Sequence, residues 1–236
     1  MSYKLPPYTT AIGGEFVLNA EKSFKLYQEY SIVQASNLSL SKQAERYLLF
    51  KRVIDFFLAS IGLLVALPIV IVVAILISLE TPGSPFYVQE RVGKGGKHFK
   101  LVKLRSMRMD AEKDGAKWAD VNDSRVTKVG AFIRKTRIDE LPQFLCVLKG
   151  DMSIVGPRPE RPMFTNQFNQ EIAGFEKRVL VKPGLTGLAQ VNGGYDISPQ
   201  EKLEFDLKYI RNLTLALELK IILKTFKVIL TGEGAR

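Results

Sequence analysis

The sequence is poor in the side chains that build disulfide frameworks and zinc centres, because its 236 residues include 1 cysteine and 1 histidine. The single cysteine, Cys146, excludes an internal disulfide, and its apolar neighbours predict a buried thiol. The single histidine, His98, excludes a zinc site with several histidine ligands. His98 falls in a predicted strand, which favours a structural role over that of a general base. Neither residue is therefore a leading candidate for the chemistry.

Acidic residues are also scarce relative to basic ones, since 24 Asp and Glu stand against 34 Lys and Arg, for a net charge of +10. Such an excess suits partners with negative charge, such as anionic lipid, nucleotides and phosphate. Charge alone would allow nucleic acid, but the sequence shows neither a helix-turn-helix nor a face that combines aromatic and basic residues. The basic residues crowd beside an apolar segment instead. We therefore expect membrane lipid as a partner and no nucleic acid.

That apolar segment is an uncharged run of about 24 residues, from Phe56 to Leu79. As a helix it would be about 36 Å long, enough to cross a hydrocarbon core of about 30 Å. Basic residues on both sides mark both ends as cytoplasmic. Pro68 removes a backbone donor near the middle and predicts a kink. A re-entrant segment that enters and leaves the same leaflet fits both observations, and a single span is the alternative. The flanking basic residues are Lys51, Arg52, Arg91, Lys94, Lys97, Lys100, Lys103 and Arg105.

The remaining patterns predict a mainly helical α+β fold. Residues 1–40 form an extension of unknown role, and a helix begins near Ser41 and continues to a Pro- and Gly-rich stretch after Glu80. No small-residue cleavage site precedes the apolar run, which argues against a cleaved signal peptide. Residues 86–92 and 98–104 read as a β-hairpin, and the glycines between them as a turn, because the Walker spacing is missing. From residue 106 onward, helices alternate with loops rich in Gly and Pro.

The C-terminal stretch predicts one more helix, from Leu219 to Leu230. Lys220, Lys224 and Lys227 would lie on one face of it, and apolar residues would fill the rest. A basic stripe on a strongly apolar helix suits the interface of a bilayer. A buried core helix with one polar edge is the alternative.

The first candidate for chemistry is an acidic pair, Asp139 and Glu140. Pro142 fits the first turn of a helix and Gly150 can end that helix, so the pair would lie at a helix N-terminus. The helix dipole and nearby positive charge should keep both carboxylates ionised at neutral pH. Such a pair can bind a divalent cation, and one member can attack phosphorus. A capped helix with surface ion pairs is the alternative. The basic neighbours are Arg134, Lys135 and Arg137.

Two later blocks look suited to binding a ligand. Pro157 and Pro159 bracket Arg158 and would present its guanidinium at low entropic cost, which suits phosphate recognition. A merely rigid loop is the alternative. Residues 181–194 are rich in turn residues and carry the amides of Gln190 and Asn192, as a ligand-lining loop would.

Read in order, these blocks resemble the bacterial sugar transferases, which are monotopic polyprenyl-phosphate phosphoglycosyl transferases. The resemblance covers about residue 47 to the C-terminus. The motifs that carry it follow the proline-containing apolar segment and are PGSPFYVQERVGKGGKHFKLVKLRSM, RKTRIDELPQ, LKGDMSIVGPRPE, VKPGLTGLAQVNG and EFDLKYI. The family implies a re-entrant membrane helix within residues 41–80 and a cytoplasmic catalytic domain within residues 81–236, at the bacterial cell membrane.

The resemblance also implies a reaction, the transfer of a sugar 1-phosphate from a nucleotide diphosphosugar to undecaprenyl phosphate, with the nucleotide expected to be UDP. Asp139 would be the nucleophile, and Glu140 would complete the acidic pair and help to position Mg²⁺. Arg134 and Arg158 match arginines that bind phosphate. Asp206 matches an acidic position of the last motif, and we group it with Gln190 and Asn192 as possible substrate contacts. The product would enter exopolysaccharide, capsule or glycoconjugate synthesis.

The sequence departs from the family pattern at two positions. Leu67 stands where many relatives have Ser before the helix-breaking proline, so the break at Pro68 is expected to be shallower. Gly194 stands where many relatives have Arg, which puts a substrate contact there in doubt. We expect the compact form of the family, without the multi-span N-terminal domain of larger relatives. A membrane-anchored scaffold without activity, or a nucleic-acid-binding regulator, is the rival hypothesis.

Overall fold

The computed structural model describes residues 38–113, 123–193 and 197–231. The predicted extension, residues 1–40, lies almost wholly outside the described residues, and so does Gly194. The predicted fold class, α+β and mainly helical, is confirmed. In chain order the elements are α1 (Lys42–Glu80), β1 (Phe86–Val92), β2 (His98–Leu104), α2 (Lys128–Lys135), α3 (Phe144–Lys149), β3 (Ser153–Val155), α4 (Pro162–Glu171), β4 (Gly184–Thr186), α5 (Leu188–Gly193), α6 (Pro199–Arg211) and α7 (Leu215–Thr231). Short 3₁₀ segments cover Lys94–Gly96, Ile138–Gln143 and Phe175–Leu180.

Helix α1 begins where the sequence predicts. The hydroxyl of Ser41 accepts a hydrogen bond from the Ala44 amide at 3.1 Å, as an N-cap should. Within the described part of the chain, α1 is the one helix long and apolar enough to cross a membrane. The helix continues through Pro68 and ends only at Glu80, so the proline does not terminate it. The re-entrant path across the bilayer therefore stays a prediction.

The two basic residues directly before the apolar run, Lys51 and Arg52, have partners within the fold, and Lys51 is buried while Arg52 is half-buried. Lys51 is 4% exposed, and its Nζ lies 3.2 Å from Asp55 Oδ1 and 2.6 Å from Glu218 Oε2. Arg52 donates hydrogen bonds to the carbonyls of Val147 and Leu148, at the C-terminal end of α3. Both charges therefore have partners within the fold, and the prediction that they lie on the cytoplasmic side stays a prediction.

The predicted hairpin is confirmed, with β1 and β2 antiparallel, Phe86 opposite Leu104 and Val92 opposite His98. Its turn contains glycines at positive φ, a conformation that glycine adopts without a steric penalty. The inner face of β2 packs on α1 and α3 in a core that contains the predicted buried thiol, Cys146, which is 2% exposed. The members of this core are Ala59, Phe99, Leu101, Cys146, Val147 and Met152. The hairpin thus packs, through β2, against the 3₁₀ segment Ile138–Gln143 that follows α2.

A second, parallel pair of strands brings two of the motifs together. Strand β3 pairs with β4, with Ser153 opposite Gly184 and Val155 opposite Thr186. The backbones come so close that a Cβ at Gly184 would lie 2.1 Å from the amide nitrogen of Gly156. Only glycine fits there. Strand β4, near the start of the block of residues 181–194, therefore supports the loop that contains Arg158.

Helix α7 is not a core helix, so the buried alternative is wrong. Leu223 is 70% exposed and Leu230 is 86% exposed, and only Glu218 and Ile221 are buried. Its exposed apolar side chains include Leu215, Leu219, Leu223, Phe226, Ile229 and Leu230. An apolar surface of this kind needs an apolar environment, as the predicted position at a bilayer interface would provide.

The re-entrant prediction is testable with cysteines at exposed positions, Glu45→Cys before the apolar run and Lys97→Cys after it, in a Cys146→Ala background. Both flanks should react with an impermeant thiol reagent from the cytoplasmic side only, because a re-entrant helix returns to the side that it entered. Ile71→Cys, within the apolar run, is the control and should resist the reagent from both sides. Labelling of the two flanks from opposite sides would establish a single span.

Lys51 should be essential for stability. Lys51→Met leaves the carboxylates of Asp55 and Glu218 buried without their cation, and we expect it to lower the free energy of unfolding by about 3–5 kcal/mol. Lys42→Met, at the exposed start of the same helix, should change it by less than about 0.5 kcal/mol. Thermal melting in detergent measures both variants. Equal melting temperatures would show that the buried cation contributes nothing.

Candidate functional site

The acidic pair lies on a turn of 3₁₀ helix, not at the start of an α-helix. Arg137 adopts a φ of 60°, in the left-handed region, and redirects the chain after α2. Asp139, Glu140 and Pro142 then lie within the 3₁₀ segment, and α3 begins only at Phe144. The pair therefore lies in the first turn of a helical segment, as predicted, but that segment is a 3₁₀ helix which leads directly into α3. Gly150 ends α3 with a φ of 90°, as predicted.

Both carboxylates of the pair are 8% exposed, but their surroundings differ. Glu140 accepts two hydrogen bonds from Arg158, from Nη2 at 2.5 Å and from Nη1 at 3.2 Å. Burial by itself would raise the pKa of Glu140, yet the positive charge of Arg158, with Lys103 next, outweighs burial and lowers the pKa to about 2. Glu140 is therefore a fixed anion held in a bidentate pair.

Asp139 has the opposite environment. Burial, and after it the negative charge of Glu140, raises the pKa of Asp139 to about 6, against the opposing charges of Lys103 and Arg158. No described residue forms a hydrogen bond or ion pair with its carboxylate. At pH 7 about nine-tenths of such a group is ionised. The expectation that both carboxylates are anions at neutral pH therefore holds, although the pKa of Asp139 is raised. A buried, ionised carboxylate without a partner is the more available nucleophile of the two.

Lys103 is a site residue that the sequence interpretation placed only among flanking charges. It lies on β2, which packs against the 3₁₀ segment, and its charge lowers the pKa of both Asp139 and Glu140. A signal for it was present, because Lys103 follows Phe99 and Leu101 at a spacing of two residues. Residues at that spacing share one face of a strand, so a lysine in phase with buried apolar residues points inward. Arg134, in the last turn of α2, adds a further positive charge that acts on Asp139.

The loop of Arg158 is held along its whole main chain. The three consecutive carbonyls from Arg158 to Glu160 each accept a hydrogen bond from a different donor. The donors are Arg178 Nη2 to the Arg158 carbonyl at 2.9 Å, Arg91 Nη1 to the Pro159 carbonyl at 2.9 Å and the Val92 amide to the Glu160 carbonyl at 3.0 Å. The predicted rigidity of this loop therefore comes from outside contacts as well as from its two prolines.

The structure places the remaining sequence-predicted residues away from the acidic pair. Asp206 is 1% exposed and accepts a hydrogen bond from Arg178 Nε at 2.6 Å. Gln190 donates to the Leu185 carbonyl at 3.2 Å, within its own block. Asn192 is exposed, and its side-chain oxygen accepts from Lys224 of α7 at 2.8 Å. These contacts tie Asp206, Gln190 and Asn192 to neighbouring elements and give none of them a hydrogen bond to Asp139 or Glu140.

The donor set of the site bears on which metal it could hold. The described part of the chain contains no cluster of three or more His, Cys, Asp or Glu side chains able to bind a metal. A closed protein cage, such as structural zinc requires, is therefore not supported by these residues. Mg²⁺ commonly uses one or two carboxylates and completes its shell with water and substrate phosphate. Asp139 and Glu140 fit that pattern, since each Glu140 oxygen that accepts from Arg158 retains a second lone pair.

The chain is similar to known proteins over most of its length. Residues 46–232 match the family model described as bacterial sugar transferase. A Bacillus subtilis (strain 168) protein named putative undecaprenyl-phosphate N-acetylgalactosaminyl 1-phosphate transferase is 60% identical over 162 residues, which cover 69% of this chain and 90% of that protein.

Two further relatives are longer. An Aeromonas hydrophila protein named UDP-N-acetylgalactosamine-undecaprenyl-phosphate N-acetylgalactosaminephosphotransferase is 47% identical over 80% of this chain and 46% of its own length. The UDP-glucose:undecaprenyl-phosphate glucose-1-phosphate transferase of Escherichia coli (strain K12) is 42% identical over 75% of this chain and 39% of its own length. The chain therefore spans less than half the length of these two relatives.

Proposed function

The chain belongs to the bacterial sugar transferase family, and we propose that it transfers a sugar 1-phosphate from a nucleotide diphosphosugar to undecaprenyl phosphate. The observation that carries this proposal is the buried acidic pair, in which Arg158 holds Glu140 while Asp139 keeps a carboxylate without a partner among the described residues. Family membership supplies the reaction class, and the pair supplies a nucleophile beside a cluster of positive charge.

Asp139 is the proposed nucleophile. One of its oxygens attacks the phosphorus that bears the sugar, and the bond from that phosphorus to the bridging oxygen breaks, so the nucleoside monophosphate leaves with the bonding electrons. The enzyme then carries the phosphosugar as an acyl phosphate on Asp139. A phosphate oxygen of undecaprenyl phosphate attacks the same phosphorus, which forms the lipid diphosphosugar and returns Asp139 to its free carboxylate.

The basic side chains around the pair make this attack electrostatically possible. An anionic carboxylate approaches a diphosphate only where the negative charge of the phosphates is offset. Lys103, Arg134 and Arg158 provide that offset on the protein side, and Glu140 orients Arg158. Asp139 and Glu140 would also hold Mg²⁺, which when bound neutralises charge on the diphosphate.

The names of the relatives guide the choice of substrate. The relatives at 60% and 47% identity are named for N-acetylgalactosamine, and the relative at 42% identity for glucose. We infer a UDP-sugar donor, with UDP-N-acetylgalactosamine the first to test. A relative in Streptococcus agalactiae is named galactosyl transferase CpsE, and we place this chain at the first membrane step of capsule, exopolysaccharide or glycoconjugate synthesis.

The exposed apolar surfaces suit a lipid acceptor. Helix α1 and helix α7 both present apolar side chains outward, and Lys51 and Glu218 join the two helices. An enzyme that receives its acceptor from the bilayer needs such surfaces at the membrane. We propose that the site faces the cytoplasm, where nucleotide sugars are available.

Asp139→Asn should abolish both turnover and the covalent phosphosugar adduct, because an amide is a very poor nucleophile. The measurement is release of nucleoside monophosphate from a panel of UDP-sugars by membranes that contain the variant and undecaprenyl phosphate. A mass shift of the intact protein reports the adduct. Asp110→Asn, an exposed change of the same kind, is the control and should leave turnover unchanged. Normal turnover of Asp139→Asn would refute the nucleophile and favour a scaffold without activity.

Lys103→Met should lower kcat/KM by roughly ten- to a hundredfold, because it removes a positive charge from the site while keeping most of the side-chain volume. Lys100→Met is the matched control, since Lys100 is exposed on the same strand. Its kcat/KM should stay within about twofold of the wild type. The assay is the same nucleoside monophosphate release. Equal losses in the two variants would mean that the net charge of the strand matters and not the inward position of Lys103.

A further inference from the structure

Arg178 is a buried arginine that the proposed reaction does not use. It lies in the 3₁₀ segment Phe175–Leu180 and is 6% exposed. An arginine stays charged under all physiological conditions, so burying one requires partners that fill its hydrogen-bonding directions. The partners of Arg178 therefore indicate what its position is for.

The two short contacts of the Arg178 guanidinium point to different parts of the fold. Its Nε donates to Oδ2 of Asp206 on α6 at 2.6 Å, and its Nη2 donates to the main-chain carbonyl of Arg158 at 2.9 Å. The planar guanidinium makes both contacts with a fixed geometry between them. Because Asp206 is itself 1% exposed on a packed helix, it anchors Arg178 to the body of the domain.

Two weaker contacts fix the same guanidinium from its sides. The ring of Phe175 lies 4.7 Å from the guanidinium carbon, and Glu160 Oε1 lies 3.8 Å from Nη1. Lys202 of α6 holds that Glu160 carboxylate at 2.8 Å. Arg178 thus has little freedom to rotate, and the Arg158 carbonyl that it binds has little freedom to move.

The contacts continue to the acidic pair through Arg158. The main chain of Arg158 receives the hydrogen bond from Arg178, and the side chain of Arg158 donates to both oxygens of Glu140. Arg178 itself donates to no carboxylate of the pair in the described structure. The described hydrogen bonds therefore connect Arg178 to the pair through Arg158.

We propose that Asp206 and Arg178 are positioning residues. They hold the main chain of Arg158 so that its guanidinium keeps both hydrogen bonds to Glu140. This assigns a role to the aspartate of the last motif, which is buried and accepts a hydrogen bond from Arg178. The kinetic part of the test rests on the proposed function. The structural part does not, because the hydrogen bond from Arg178 to the loop is independent of any substrate.

Arg178→Lys is the first test, because a lysine keeps the charge but cannot donate to Asp206 and to the Arg158 carbonyl with the same planar fork. It should lower kcat/KM for nucleoside monophosphate release from UDP-N-acetylgalactosamine by roughly ten- to a hundredfold. Asp206→Asn, which is nearly the same size, is the second variant if thermal melting shows that Arg178→Lys does not fold. Glu204→Gln is the matched control on the same helix and should stay near the wild type.

A double-mutant cycle distinguishes positioning from a general loss of stability. In an Arg158→Lys background the guanidinium to be positioned is absent, so adding Arg178→Lys should cost less than about threefold more. A full ten- to hundredfold loss in both backgrounds would overturn the proposal, because the two residues would then act independently.

Hydrogen exchange of the two amides that donate to carbonyls of this loop, Val92 to Glu160 at 3.0 Å and Gly184 to Pro157 at 2.9 Å, decides the structural part whether or not this donor is a substrate. Exchange of these amides should be at least about tenfold faster in Arg178→Lys than in Glu204→Gln, because a loop that loses the Arg178 contact opens more often. Unchanged exchange would overturn the proposal even if turnover fell. Faster exchange in a protein without transferase activity would support the positioning role and reject the proposed function alone.

Discussion

The fold depends on a group of charges that is buried where the long apolar helix α1 meets the rest of the protein. Lys51 of α1 pairs with Asp55 one turn later and with Glu218 of α7. Asp55 also accepts hydrogen bonds from the Ser153 hydroxyl and the Ile154 amide of β3, at 2.8 and 3.1 Å. Tyr209 of α6 donates to Glu218 at 2.9 Å. Burying these charges is costly unless every member is satisfied, so the group requires α1, α6, α7 and β3 in one arrangement.

This arrangement reaches the acidic pair because β3 leads directly into the loop of Arg158. One end of the loop is anchored by strand pairing and by the charge group, and its carbonyls are held by the hairpin and by Arg178. Arg158 can therefore hold Glu140 in a fixed geometry. The result is a pair of adjacent carboxylates with opposite pKa shifts, since one has a bidentate cation and the other has burial and a negative neighbour. Adjacent acids with different environments can take different roles in one reaction.

The outer surface follows from the same constraint. Because Glu218 directs one face of α7 inward, the apolar residues of the other faces, such as Leu223 and Leu230, are exposed beside the protein body. The long apolar part of α1 is arranged in the same way, since Ala59, Val70 and Ile77 are buried on one face while its other faces expose apolar side chains. A surface of this composition is suited to lipid, and it places the proposed reaction, which joins a water-soluble donor to a lipid acceptor, where both can arrive.

Local pattern and the identity of the motifs were enough to predict several features from the sequence. The start of α1 near Ser41, the hairpin with its glycine turn, the buried Cys146 and the Asp139–Glu140 pair all follow from short-range rules. The partner of a charged side chain does not follow from such rules, because the residue is the same in the sequence whether water, lipid or a buried carboxylate surrounds it. The folded domain was needed to show that Lys51 pairs inside the protein and that the charge of Lys103 acts on the acidic pair. It also showed that Asp206 lies behind the Arg158 loop. Each of these contacts joins residues far apart in the chain, and their energies depend on burial that forms only when the whole domain has folded.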